Sequence, residues 1–233
     1  MIVKTPYAFW NHAHRLHHMG SGSLSRRGFG DIKTMTCAEY AAAPFGRKLR
    51  YRLYRNPFVL FVLGPAYVFL VEHRLPLGQM HDGWRPWIST MGTNVAVLAL
   101  WSLMIWFVGW QVFFAIQLPT VLLAAMAGVW LFYVQHQFEE TIWEHDADWT
   151  LHEAALYGSS HYDLPQPLQW LSGNIGLHHV HHLSSRIPFY RLPSVLRDHP
   201  ELYGINRMTI GESIATARLK LWDEDKRLMV GFG

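Results

Sequence analysis

Residues 86–138 contain no Asp, Glu, Lys or Arg. A run of that length does not suit an ordinary soluble helical hairpin, which keeps a polar face toward water. One membrane crossing takes about 20 apolar residues. Residues 93–135 are therefore expected to form a transmembrane hairpin, with a break near Gln117, Leu118 and Pro119. The rest of the composition agrees. Only 16% of the 233 residues are charged, against about 25% in a typical soluble domain. With 11 Trp, 13 Phe and 10 Tyr the chain cannot remain disordered, and its single cysteine, Cys37, excludes a disulfide framework. A net charge of +3 provides no dense basic stripe, so nucleic acid is not an expected partner.

A second apolar stretch, residues 57–71 (PFVLFVLGPAYVFLV), is shorter. As a helix it would rise only about 22 Å, less than the roughly 30 Å hydrocarbon core, and Gly64 and Pro65 interrupt it. It is expected to be an interfacial helix. The basic run before it (Arg47, Lys48, Arg50, Arg52, Arg55) marks the cytoplasmic side. The first 20 residues have no apolar core of a secretory signal. The loop at residues 20–30 is rich in glycine and serine, and residues 210–228 read as a helix of mixed charge.

Histidine is the other unusual feature, with 15 copies. Two short segments share the form H-x-x-H-H: His14, His17 and His18 in HRLHH, and His178, His181 and His182 in HHVHH. Positions i, i+3 and i+4 lie on one face of a helix, so three imidazoles converge from each segment. Proton transfer needs one histidine, whereas six at matched spacing point to shared metal coordination. His136 stands where the apolar tract ends, at a depth that is costly for an unligated imidazole, and joins the expected ligands. His161 is a weaker candidate. His12 and His179 point off the shared faces, and His73, His81, His145, His152 and His199 are expected in loops or on solvated surfaces.

If both clusters and His136 serve one centre, they lie on one side of the membrane and an even number of crossings separates them. The hairpin supplies two, so residues 57–71 should not cross, and the basic run places the centre on the cytoplasmic face. Seven ligands exceed the four of a lone zinc site, which argues for two metal ions. The expected fold class is all-α: an integral membrane protein with a transmembrane helical hairpin and a cytoplasmic helical cap carrying a histidine-rich di-metal site. A lipid chain suits a metal site at the membrane surface.

The boxes HRLHH and HHVHH, with a membrane hairpin between them, resemble the second and third histidine boxes of the membrane fatty acid desaturases. The stretches RRGFGDIKTMTCAEYAAAP, YRLYRNPFVLFVLGP, FYVQHQFEETIWE, GSSHYDLP and NIGLHHVHHLSSRIPFYRL look like the bacterial and cyanobacterial acyl-lipid omega-6 (delta-12) branch. The resemblance implies a single desaturase domain over residues 1–233 with two non-haem irons. It also implies an acyl-lipid substrate, O₂, and electrons from a carrier such as ferredoxin or cytochrome b5; Arg26, Arg27, Arg47, Lys48 and Arg50 could dock an acidic carrier. His14, His17, His18, His178, His181 and His182 match box ligands, and His136 matches the ligand outside the boxes. Asn174 would hold a metal-bound water or orient a ligand, with Asp31, Glu139 and Glu140 as outer carboxylates.

The family pattern also has a first box upstream of its own second, preceded by a further hairpin. Here HRLHH begins four residues after Trp10. The expectation is therefore that the chain as written lacks the first box and first hairpin, is a fragment or starts upstream of Met1, and does not assemble the full di-iron site. Two other readings use the same residues. One is a hydrocarbon or carotenoid hydroxylase or ketolase, which would add oxygen rather than a double bond. The other is a non-catalytic membrane protein that holds zinc.

Overall fold

The structure, a computed structural model, describes residues 5–27 and 30–233; Gly28 and Phe29 of the glycine- and serine-rich loop lie outside them. In chain order the helices and strands begin with α1 (Tyr7–Gly20), β1 (Met35–Thr36), α2 (Cys37–Ala42), α3 (Phe45–Tyr54) and α4 (Gly64–Leu70). The long helices α5 (Trp84–Val108) and α6 (Trp110–His136) follow. Short elements complete the chain: α7 (Leu151–Tyr157), β2 (His161–Asp163), α8 (Gln166–Leu171), α9 (His178–Leu183), α10 (Leu192–Asp198), β3 (Arg207–Thr209), α11 (Ile210–Thr216), β4 (Leu221–Asp223) and β5 (Leu228–Val230). They form two compact units. The first holds the described residues up to Arg15 together with Arg52–Trp130; the second holds Leu16–Tyr51 and Leu131–Gly233.

Helix α5, in the first unit, and helix α6, which belongs to it as far as Trp130, are long and apolar enough to cross a membrane. Val95, Leu98 and Trp106 on α5 and Ile116 and Leu123 on α6 stand exposed, as suits helices whose outer surface meets lipid and whose backbone bonds are all internal. The chain reverses at Gly109, earlier than the break expected at Gln117–Pro119, and Trp101 packs edge-on against Phe113 across the turn (ring centroids 5.5 Å). Gly109 has φ 80° and ψ 152°, a conformation that residues with a Cβ avoid. Pro119 instead lies inside α6.

Residues 57–71 form a π-helical turn (Val59–Leu63) running into α4. Pro65 has no N–H to give an α-helical bond, and the wider turn just before it absorbs the mismatch. A third crossing would arise only if the bent pair Phe45–Tyr54 and Val59–Arg74 acted as one span. Arg74 and Asn94 exchange two hydrogen bonds of 2.8 Å that tie this stretch to α5. His73, expected on a solvated surface, is instead buried between Phe9 and Phe69 with Thr5 beside its ring.

The second unit is not purely helical, a departure from the all-α expectation. β1 pairs in parallel with β4, β4 pairs antiparallel with β5, and β2 pairs in parallel with β3. The helix expected over residues 210–228 stops at Thr216. Beyond it, Leu221 and Trp222 are drawn into the buried clusters around Tyr51 and Trp143, and the charged residues after them form the hairpin turn, with Arg227 at φ 54°. Tyr51 anchors α3 to this small sheet: its hydroxyl accepts from the Met35 N–H and donates to the Lys220 carbonyl.

Candidate metal centre

Three segments deliver the histidines. Helix α1 has no interior glycine or proline and ends at Gly20, so HRLHH lies within a continuous helix. Helix α9 is short and has no side-chain cap; contacts around it hold it in place. Just before it, a Cβ on Gly176 would stand 2.4 Å from the Tyr162 carbonyl oxygen. Glycine there lets the chain close against β2 and bond to the Tyr162 N–H (2.8 Å). The last residue of α6 is His136. On either side of it, Gln135 donates to the Ile175 carbonyl and Gln137 bonds to Thr34, so the helix end is clamped by two buried amides.

Four buried histidines meet there: His17, His136, His178 and His182, whose ligand nitrogens all lie within 4.8 Å of one another. Nε2 of His136 is 3.0 Å from Nε2 of His17 and 2.9 Å from Nε2 of His178. A metal bound at about 2.1 Å by four to six nitrogens sets neighbouring nitrogens about 3.0–3.4 Å apart, and these spacings are of that size.

The proton positions follow from the outer partners. Nδ1 of His136 faces the Gly158 carbonyl at 3.1 Å, and a carbonyl only accepts. Nδ1 of His17 donates to the Asp31 carboxylate, itself almost buried. In the neutral rings both Nε2 atoms therefore carry lone pairs and face each other across 3.0 Å. Two facing lone pairs repel, and a cation between them removes the repulsion. A ligating histidine whose far nitrogen is bonded to a carboxylate or carbonyl is the usual outer arrangement of a metal site. Nε2 of His182 is buried with no hydrogen-bond partner among the described residues. Burial, then the surrounding imidazoles, hold His178 and His182 well below the ordinary histidine range. Neutral, buried, all-nitrogen donors fit a transition-metal ion.

A second pair lies beside this group: Nε2 of His18 is 3.0 Å from Nε2 of His181. Burial pushes His181 down to about 4. His14 sits one turn before His18 on α1, on the part of the helix belonging to the first unit, with its ring stacked on Trp10 at 4.6 Å.

The other named residues have other positions. Glu139 and Glu140 are exposed and join neither histidine group. Asn174 adopts a left-handed conformation (φ 56°) and donates its amide to the Phe189 carbonyl at 3.0 Å. His179 is fully buried, bonded to the Leu202 carbonyl, and stacks on His161, which bonds to the Tyr203 carbonyl. His81, His145, His152 and His199 are exposed, as expected, and so is His12. Sequence reasoning missed Gly158, whose backbone carbonyl leaves no side-chain signal. It also passed over Gln135 and Gln137, although two amides beside a histidine at the end of an apolar tract are a visible signal.

The family model described as fatty acid desaturase matches residues 1–213. A fatty acid desaturase of Bacillus subtilis (strain 168) is 45% identical over 232 residues, covering 100% of this chain and 65% of that protein. The sn-1 oleoyl-lipid 12-desaturase of Synechocystis sp. (strain ATCC 27184 / PCC 6803 / Kazusa) is 26% identical over 207 residues, 80% of this chain. The chain thus spans 65% and 52% of the lengths of these two relatives.

Proposed function

The chain belongs to the fatty acid desaturase family, and from that premise we propose that its histidine groups serve an acyl-lipid desaturase. The reaction removes one hydrogen from each of two adjacent methylenes and leaves a cis double bond. Dioxygen, two external electrons and two protons take up those hydrogens as two waters. The name of the Synechocystis relative supports an omega-6 or delta-12 position, and the basic run at Arg47–Arg55 supports a cytoplasmic face. Electrons would come from a carrier such as ferredoxin or cytochrome b5. Residues 57–71 fit an interfacial helix, their length being short of a bilayer.

The residues that would supply ligands to the two irons are His17, His136, His178 and His182, with His18, His181 and His14. Bound iron would supply the redox capacity to reduce dioxygen. This chain's own residues prepare that capacity. Asp31 keeps the His17 proton on Nδ1, the Gly158 carbonyl does the same for His136, and both leave a bare Nε2 toward the group. Burial of all four rings keeps bulk water from the ligand atoms. Asn174 acts at one remove, by holding the Phe189 backbone beside the loop that leads into α9.

The observation that carries this reading is the facing Nε2 atoms of His17, His136 and His178, two of them stripped of protons by their outer partners. The test is expression in a host lacking desaturases, with metal analysis of the purified protein and mass spectrometry of the host lipids. Iron together with a new cis double bond supports the proposal and overturns the expectation that the chain as written does not assemble the full di-iron site. An added oxygen on the chain would mean a hydroxylase, and stoichiometric zinc with unchanged lipids would mean a non-catalytic metal protein; either overturns it.

A further inference from the structure

Helix α3 has three faces that differ in chemistry. At 100° per residue, Phe45, Leu49 and Leu53 fall on one stripe. All three are exposed, Phe45 at 80%. Tyr51 projects on the opposite side and is buried, bonded to Met35 and Lys220, so the helix is fixed with the apolar stripe outward. Lys48 and Arg52 border the stripe on one edge and Arg50 on the other, with Arg47 further round; Arg47, Arg50 and Arg52 are exposed. No acidic residue occurs between Glu39 and Glu72.

We propose that α3 is a docking surface for an anionic lipid leaflet, with Phe45, Leu49 and Leu53 seated among the acyl chains and the arginines on headgroup phosphates. Charge complementarity and continuity carry this. Basic residues that flank large apolar ones at helical spacing match a headgroup plane over a hydrocarbon layer. The chain continues directly into the apolar stretch that starts at Pro57, where Phe58 and Leu63 are also exposed. An acidic protein partner would be served by the arginines but would leave three outward apolar side chains unexplained.

The test uses the full chain carrying Cys37→Ser and Leu49→Cys, labelled at the new thiol with an environment-sensitive fluorophore and reconstituted in nanodiscs. Phosphatidylcholine discs are compared with discs containing phosphatidylglycerol, with acrylamide as a neutral aqueous quencher. The expected result is quenching reduced about threefold or more by the anionic lipid and restored by high salt. The same chain with Arg47→Glu, Arg50→Glu and Arg52→Glu should lose the lipid-charge dependence. Equal quenching in both discs overturns the proposal, whether the label is shielded or exposed. So does shielding by added soluble poly-glutamate in place of phosphatidylglycerol, which would mark an acidic protein as the partner. If the triple variant fails to fold, the comparison of the two lipids on the labelled parent still decides.

Discussion

Asp31 shows how one side chain sets the state of another. Its carboxylate accepts a hydrogen bond from Nδ1–H of His17 and so directs the imidazole lone pair at His136. Asp31→Ala should lower metal affinity about 10–100-fold while leaving the helices intact; chelator competition followed by circular dichroism separates the two effects. The stacked His161 and His179 join neither histidine group. Burial lowers both below their ordinary value, His179 to about 4. Between that range and the unfolded value near 6.5 the unfolded chain binds protons that the folded chain does not. Stability contributed by the pair is therefore level above about pH 6.5 and falls as the pH drops below it. His161→Gln should flatten part of that decline, as read by denaturant titrations of the metal-free protein at pH 7 and pH 5.

Among the elements, α9 depends most on its neighbours. It is a six-residue helix with no side-chain cap, too short to persist alone. It holds because the chain before it packs on β2 and because His179 reaches the Leu202 carbonyl. Gly176→Ala would place a Cβ 2.4 Å from the Tyr162 oxygen and 2.5 Å from Oε1 of Gln169. The side-chain amide can swing aside but the backbone oxygen cannot, so β2 and α9 must separate. The expected cost is about 1–3 kcal/mol, together with metal loss larger than that from a surface substitution. Thermal melts with and without metal measure both.

Taken as a whole, the molecule was legible where a signal was repeated and illegible where it rested on backbone. Two copies of H-x-x-H-H and an uncharged tract state themselves in side chains: the tract marks the two long apolar helices, and the motifs name histidines that fall in the groups able to hold a metal. The turn at Gly109 was not read, because Pro119 is the stronger breaker in water, whereas membrane helices tolerate proline. The strands of the second unit are two or three residues long, below any periodicity a sequence can display. The Gly158 carbonyl has no letter of its own. One feature of α6 also has a mechanical side. It runs unbroken from Trp110 to His136, 27 residues, or about 40 Å of hydrogen-bonded rod, with lipid-facing residues at one end and an imidazole of the metal group at the other. A bilayer core thinner than the rod makes it tilt, and His136 is carried on the same helix. Metal release into a chelator should therefore speed up in nanodiscs of short-chain lipid relative to long-chain lipid, and equal rates would show that the clamps at Gln135 and Gln137 absorb the motion. Faster release in the thinner membrane would make its thickness, itself set by its acyl chains, an input to the geometry of the site.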